Sequence, residues 1–286
     1  MSTLVLSGVI AGLIYGLVAC AIIFVHRASR VVNLAQGDIG MVAATLYFTT
    51  TAIYRWPTWA AVVVALVTGA VLGWLINAAV ISPLGQRDPG TGLVATLAIA
   101  TILQLATLQY WGGSARHFPP WIPGWDGITL AGMALGGPEI LAVAISGILV
   151  TLGSLVYQRS RLGLQLRAVS ESRTASATLG VNVKKVSGWA WMVGGAISAT
   201  AALLIAPMTR FDPYFMFAVM TSALVAALVA GFTSFPVAMA AALLIGVIKS
   251  ITEFHITAPG INDVLLFAVA LILLLVKPPE TLRTAA

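Results

Sequence analysis

Residues that could perform chemistry are few in this chain, and their spacing does not suit catalysis. The three histidines, His26, His117 and His255, are far apart, and none is paired at a metal-ligand spacing. The sequence contains neither a Gly-x-Ser-x-Gly nucleophile elbow nor a Gly-x-x-x-x-Gly-Lys-Ser/Thr phosphate loop. The single cysteine, Cys20, excludes an intrachain disulfide and a cysteine metal cluster. We expect a chain that is not an enzyme and binds no cofactor, so any ATP chemistry must come from another chain.

A cluster of polar residues interrupts the apolar N-terminal part of the chain at Asn33-Leu34-Ala35-Gln36-Gly37-Asp38. A carboxylate at mid-bilayer costs about 2.5 to 3.5 kcal/mol, so Asp38 should face the interior of a bundle, water or a basic partner. Its position near the N-terminus of a predicted helix also suits a negative charge. Asn33, Gln36 and Asp38 are predicted either to cap and hydrogen-bond neighbouring helices or to line a passage or its inner gate.

A second candidate region is the basic loop at residues 159–185. It contains six of the fifteen Lys and Arg residues of the chain, which is typical of a cytoplasmic loop. Residues 171–179 are compatible with a short helix that Gly180 would stop at a C-cap position. Small and apolar side chains would form one side of this helix, and an exposed apolar side needs a partner. The predicted partner is a cytoplasmic protein, and the alternative is an anionic lipid surface.

The composition indicates that membrane helices position both regions. Of the 286 residues, 59% are hydrophobic and 8% are charged, against about 25% charged in an average soluble domain, which excludes a soluble globular fold. The net charge of +6 is concentrated between apolar runs rather than along a groove, so nucleic acid is not an expected partner. We predict a single membrane domain, residues 1–286, in a lipid bilayer.

The apolar runs predict an all-α polytopic bundle. Nine runs approach the roughly 20 residues needed to cross a bilayer, and each should be helical because the backbone must satisfy its own hydrogen bonds in lipid. The seventh and eighth runs are joined only by residues 232–236. Eight spans remain an alternative, in which this pair is partly re-entrant. The predicted spans are residues 4–25, 32–53, 60–81, 93–111, 138–157, 186–206, 215–232, 236–252 and 260–276.

The basic residues also predict the orientation. If loop 159–185 is cytoplasmic, nine crossings place Arg27, Arg30, Arg87 and the C-terminal tail on that same side. The N-terminus is then outside. The opposite face receives loops that are richer in tryptophan and tyrosine than in charge, as expected of an aromatic belt.

Loop 159–185 resembles the coupling loop of ABC importer permeases, and in detail it is similar to that of the branched-chain amino acid permease family. The matching segments are Arg161-Leu162-Gly163, Arg167-Ala168-Val169 and Leu179-Gly180-Val181-Asn182-Val183. The early segment from Asn33 to Asp38 is similar to the family motif Asn-Phe-Ala-His-Gly-Glu. Residues 231–238 and Lys277-Pro278-Pro279 resemble the late turn and the closing segment of the family. The resemblance therefore covers nearly the whole chain in order.

Some residues depart from the family pattern. The coupling helix has Thr174-Ala175-Ser176 where the family often has Glu-Ala-Ala, and Gln36 and Asp38 replace the His and Glu of the early motif. These changes leave the permease assignment intact but weaken any assignment of the substrate to Leu, Ile or Val. Relatives in this family are also associated with urea, short amides and other small polar metabolites.

The resemblance implies the non-catalytic permease subunit of a heteromeric importer in a bacterial inner membrane. Its partners would be a second related permease, two cytoplasmic ATP-binding subunits that hold ATP and Mg²⁺, and an extracytoplasmic substrate-binding protein. The candidate pathway residues are Asn33, Gln36, Asp38, Thr101 and Gln104. The candidate residues for ATPase coupling are Arg167, Glu171, Thr174, Ala175, Ala177, Leu179 and Gly180.

The alternative function is a secondary transporter or channel that acts alone on a small polar solute. It would need titratable residues inside the membrane to carry protons or Na⁺. The available groups all lie near the ends of predicted spans, and they are Asp38, Glu139, Lys249, Glu253 and Asp263.

Overall fold

The computed structural model describes residues 2–84, 89–119, 127–130, 133–256 and 260–276. Arg87, the side chain of Asp263 and the segment Lys277-Pro278-Pro279 lie outside this description. The helices are α1 (Ser2–Ser29), α2 (Gln36–Phe48), α3 (Thr58–Ile76), α4 (Ser82–Leu84), α5 (Pro89–Trp111), α6 (Gly137–Arg159), α7 (Arg161–Glu171), α8 (Arg173–Thr178), α9 (Val183–Ile205), α10 (Phe215–Val229), α11 (Phe235–His255) and α12 (Ile261–Val276). The predicted polytopic helical fold is confirmed.

One short hairpin accompanies the helices on the described part of the chain. Strands β1 (Ile128–Leu130) and β2 (Met133–Leu135) pair in antiparallel register, with Thr129 opposite Ala134. The hairpin precedes α6 directly. It is a local addition to the helical bundle, because it pairs only with itself among the described residues.

Each predicted span coincides with a helix, although the count of nine crossings stays a prediction. Within the described residues, six helices are long and apolar enough to cross a membrane, and α10 is a shorter apolar helix. The six are Thr3–Ser29, Thr58–Leu84, Gly90–Trp111, Gly137–Arg159, Val183–Met208 and Phe235–His255. Helix α2 continues through a π-helical turn at Thr49–Ile53, and α3 continues through another at Asn77–Ile81.

The second predicted span begins later than expected, at Gln36 rather than at residue 32. Arg30 ends α1 in a left-handed conformation, with φ of 61°. The Asn33 side-chain oxygen Oδ1 accepts a hydrogen bond from the Ala35 backbone N–H at 3.1 Å, which folds the chain into a turn before α2. Residues 30–35 are therefore a non-helical connection inside the bundle.

Helices α1 and α9 form the interior of the bundle. In their spans, 72% and 67% of the residues are buried, against 22% in α5 and 11% in α6. Glycines bring α1 against α11, since a Cβ on Gly8 would lie 2.6 Å from Val247 Cα. Helix α3 approaches α9 in the same way, since a Cβ on Gly73 would lie 2.2 Å from the Trp191 carbonyl oxygen. Small residues at such contacts let helix backbones pack closely in a membrane.

Candidate functional site

A buried group of polar side chains lies where the chain leaves α1 and enters α2. Asn33 and Gln36 have no solvent-exposed surface. Gln36 Nε2 donates to the Gly194 carbonyl oxygen and to Ser198 Oγ of α9, each at 2.7 Å. Asn33 Nδ2 donates to Gln36 Oε1 at 2.6 Å, which joins the two amides end to end. We call Asn33, Gln36, Thr96 and Ser198 the inner polar cluster.

Thr96 of α5 belongs to this cluster, and sequence reasoning missed it. Its Oγ1 accepts a hydrogen bond from the Leu34 backbone N–H at 3.2 Å, and its hydroxyl proton is shared between the Leu93 carbonyl oxygen at 2.9 Å and the Val32 carbonyl oxygen at 3.2 Å. One turn earlier, Gly92 leaves room for Val31, because a Cβ at Gly92 would lie 2.7 Å from Val31 Cγ2. A small and a polar residue at i and i+4 share one helix face. That spacing was the available signal.

The cluster lies deep in the bundle. Gly194 is about 16 Å along α9 from Val183, at the usual helical rise per residue. This depth is near the middle of Val183–Met208, a helix long enough to cross a membrane. An unpaired amide there would be costly, and this cost explains why Asn33 and Gln36 direct their polar atoms at each other and at α9.

The other predicted pathway residues lie elsewhere. Asp38 is half-buried in the first turn of α2. Thr101 is exposed on α5, and its Oγ1 donates to a carbonyl of its own helix at 3.0 Å. Gln104 is half-buried on the same helix. The structure brings Asn33 and Gln36 together but leaves Thr101 apart from them, and a pathway role for all five residues stays a prediction.

The basic loop forms two helices, α7 and α8, so the single helix predicted at residues 171–179 is wrong in its extent. Glu171 is the last residue of α7. Ser172 has extended backbone geometry and starts α8, because its Oγ accepts a hydrogen bond from the Ala175 N–H at 3.2 Å. A serine at this position is a favoured N-cap, and it separates the two helices.

The predicted stop of α8 at Gly180 is confirmed. Gly180 has φ of 85°, and the Val181 N–H donates to the Ser176 carbonyl oxygen at 3.0 Å. This is the hydrogen bond of a Schellman motif, which satisfies carbonyls at a helix end. Leu179 beside it is 84% exposed. The exposed members of the predicted coupling set are Glu171, Thr174, Ala175, Ala177, Leu179 and Gly180.

Helix α7 is packed against the bundle. Its buried residues Leu166 and Val169 share a hydrophobic cluster with Ala28 of α1 and Val186 of α9. Arg167, also in the predicted coupling set, is half-buried on this helix. Helix α7 therefore connects α8 to the ends of α1 and α9.

The two arginines Arg30 and Arg173 connect the end of α1 to the loop. Arg30 donates to the Ser170 carbonyl oxygen, and Arg173 Nη1 donates to the Ser29 carbonyl oxygen at 2.9 Å. Burial, together with the nearby Arg30 guanidinium, lowers the pKa of Arg173. We call Ser29, Arg30, Ser170 and Arg173 the arginine clasp.

A third arginine, Arg27, joins α1 to the end of α6. It donates to the Tyr157 hydroxyl group, and its guanidinium carbon lies 5.5 Å from the centroid of the Tyr157 ring. The Phe235 ring of α11 is 5.7 Å from the same guanidinium carbon. Cation–π contacts of this kind hold the ends of three helices together.

Sequence comparison identifies the family to which this architecture belongs. The family described as branched-chain amino acid transport system / permease component matches residues 4–275. The chain belongs to this family. Its membership and its six apolar helices of span length make it a multi-pass membrane permease.

Curated relatives match nearly the whole permease. It is 24% identical over 286 residues to the high-affinity branched-chain amino acid transport system permease protein LivH of Escherichia coli (strain K12), covering 95% of this chain and 92% of that protein. It is 23% identical over 284 residues to the corresponding protein BraD of Pseudomonas aeruginosa, with the same two coverages of 95% and 92%. A probable LivH of Methanocaldococcus jannaschii is 24% identical over 255 residues, covering 85% and 78%. No solved structure matches the permease.

The end of the permease opposite to the loop is closed by aromatic contacts. Trp111 of α5 donates through Nε1 to Thr49 Oγ1, at 2.8 Å. The Arg116 backbone N–H donates to the Phe211 carbonyl oxygen at 2.9 Å. The guanidinium carbon of Arg116 lies 5.6 Å from the Phe48 ring centroid. These contacts line a narrow cleft between α2, α5 and the chain before α10.

Lys249 is buried inside the permease, although its sequence position suggested a place near a span end. It is 7% exposed on α11. Its Nζ donates to Ser222 Oγ of α10 at 3.3 Å and lies 5.6 Å from the Tyr15 ring centroid of α1. The Lys249 ammonium group of α11 therefore contacts two other helices, α1 and α10.

Proposed function

We propose that this permease is the non-catalytic membrane subunit of an ATP-driven importer for branched-chain amino acids or related small polar solutes, including amides. The observation that carries the proposal is the construction of α8. Its cap residues Ser172 and Gly180 fix both ends, its predicted coupling residues are exposed, and the adjacent α7 is anchored on α1 and α9. A capped, exposed helix whose neighbour packs on two long helices is suited to receive force from another protein and to pass it to the bundle.

The proposed assembly contains a second related permease, two cytoplasmic ATP-binding subunits and an extracytoplasmic substrate-binding protein. ATP and Mg²⁺ belong to the ATP-binding subunits. Loop 159–185 faces the cytoplasm in this arrangement, the N-terminus lies outside and the C-terminus inside. The concentration of basic residues in that loop supports the orientation.

The proposed pathway includes Asp38 and passes the inner polar cluster. In the present conformation Asn33 and Gln36 use their polar atoms within the bundle, which suits a closed gate better than an open binding site. Thr101 and Gln104 can contribute only where the second permease completes the path beside α5.

Purification and reconstitution test the proposal. An affinity tag on this chain should copurify two copies of an ATPase, and proteoliposomes with the complete complex should take up leucine in the presence of ATP and the binding protein. Unlabelled isoleucine, valine, urea and a short amide, added as competitors, identify the substrate class. Uptake by this chain alone, without an ATPase, would favour the secondary transporter instead.

A further inference from the structure

The arginine clasp joins two distant parts of the chain at one point. The hydrogen bond from Arg30 to the Ser170 carbonyl spans 140 residues of sequence, and the bond from Arg173 to the Ser29 carbonyl spans 144. The two bonds run in opposite directions, since each side supplies one guanidinium and one carbonyl. A displacement of α7 and α8 is therefore transmitted directly to the last residue of α1.

Arg30 also turns the backbone at the end of α1. Its φ of 61° is left-handed, a conformation that non-glycine residues adopt rarely. Its backbone N–H donates to the His26 carbonyl oxygen at 2.7 Å and closes the last turn of α1. The chain leaves the direction of α1 at this residue and continues into the connection to α2.

The connection after Arg30 leads straight into the inner polar cluster. Residues 31–35 are non-helical. Thr96 of α5 bonds to the backbone of Leu34 and Val32. Asn33 bonds to Gln36 at the start of α2, and Gln36 bonds to Ser198 of α9. These bonds are between neutral groups, which contribute little net free energy each.

We infer that the arginine clasp transmits ATPase movement to a gate at the inner polar cluster. Arg30 and Arg173 are positioning residues: they pull residues 31–35 when α8 is displaced, and Gln36 then separates from Ser198. The inference rests on the proposed function and goes beyond it, because it names the connection of α1 to α2 as the moving part. Tilting of α6 and α9 alone would not require the clasp.

Uncoupling variants test this inference. Arg30→Gly allows the left-handed backbone conformation and removes the guanidinium group. Arg173→Ala removes the other guanidinium group of the clasp. Both complexes should retain their ATPases and hydrolyse ATP, while solute uptake per ATP falls by about tenfold, within the usual range for coupling between linked sites. Arg161→Ala is the matched control, because Arg161 is exposed at the start of α7 and should leave the uptake ratio unchanged.

The outcomes separate this inference from the proposed function. An unchanged uptake per ATP in both clasp variants overturns the inference, and so does loss of the ATPases from these variants alone, since the clasp would then serve docking. Failure of the unsubstituted chain to copurify an ATPase would instead remove the proposed function.

Thiol labelling adds a readout that a purely structural role would not change. In a Cys20→Ser background, Ser198→Cys carries the only thiol of the chain, because Cys20 is its single cysteine. Labelling by N-ethylmaleimide should accelerate during ATP turnover with the clasp intact and should not accelerate with Arg30→Gly. Equal acceleration in both overturns the inference.

A covalent tether between the two sides of the clasp tests the inference even if a clasp variant folds poorly. Cysteines introduced as Arg30→Cys and Ser170→Cys, in the Cys20→Ser background, should restore uptake per ATP when a flexible bifunctional thiol reagent links them. Uptake that stays low after complete cross-linking contradicts the role of the clasp.

Discussion

The inner polar cluster and α8 differ in burial and in where their side chains find partners. In the cluster, Asn33 and Gln36 are fully buried and bond to each other and to α9. On α8, Thr174 and Ala177 are exposed, and so is Leu179 just after its end. The side chains of the first region find their partners within the permease, whereas the second region is the proposed contact surface for an ATP-binding subunit. Substitutions in the cluster should therefore affect stability, and those on α8 should affect assembly.

The largest effect is expected from Ala177→Arg on α8. Ala177 is exposed, so the free energy of unfolding should change by no more than about 0.5 kcal/mol. A long cationic side chain in the docking surface should prevent ATPase binding and abolish uptake. Copurification and proteoliposome uptake measure the effect, and Gln165→Arg on the exposed side of α7 is the control. Normal uptake by Ala177→Arg would reject docking through α8.

Gln36→Leu should produce the largest loss of stability. It leaves Asn33 Nδ2 and Ser198 Oγ without their partner Gln36, and each buried group left unpaired costs about 1–3 kcal/mol. Thermal denaturation of the purified complex in detergent measures the loss. Gln104→Leu makes the same change at a half-buried position of α5 and should be milder. Equal melting temperatures for the two variants would show that the cluster contributes no special stability.

Asp38→Asn, next to the inner polar cluster, should affect transport without affecting assembly. The substitution removes the charge and preserves size, so the ATPases should remain bound. Uptake should fall by about tenfold, the equivalent of 1.4 kcal/mol in a binding or activation free energy. Initial rates of solute uptake at several concentrations measure the effect. Unchanged kinetics would limit Asp38 to a structural role at the start of α2.

The smallest effect is expected from Gly180→Ala. A residue with a Cβ is strained at φ of 85°, at a cost of about 1 kcal/mol, and this should loosen the end of α8. Hydrogen exchange of the Val181 amide, which bonds to Ser176, should accelerate while uptake changes little. Gly147→Ala is the control, because a Cβ there would meet no atom within 4 Å. Equal exchange in the two variants would contradict the strain.

The sequence predicted the helices well because apolar runs of span length can form little else in lipid. It also predicted the end of α8, since Gly180 acts through local backbone conformation. The break at Ser172 was missed even though serine is a favoured N-cap. The neighbouring residues are all compatible with a continuous helix, so the cap was not visible as a boundary.

The inner polar cluster was predicted only in part. The segment from Asn33 to Asp38 was recognised as polar and buried, but its partners depend on which helices pack beside it. Ser198 lies more than 160 positions from Gln36, and no local pattern connects them. Thr96 was not predicted. It shares a helix face with Gly92, but that spacing alone does not show that this face of α5 is internal. The roles of these residues in transport stay predictions.

The glycine contacts described in the fold restrict how the permease can move. Gly246 of α11 would place a Cβ 2.2 Å from the Gly8 carbonyl oxygen of α1, and Gly195 of α9 would place one 2.0 Å from the Gly69 carbonyl oxygen of α3. These two distances show that even a methyl group would not fit between the helices, so each pair is closely packed. Each pair should behave as one rigid body, so spin labels on α1 and α11 should keep their spacing throughout the transport cycle.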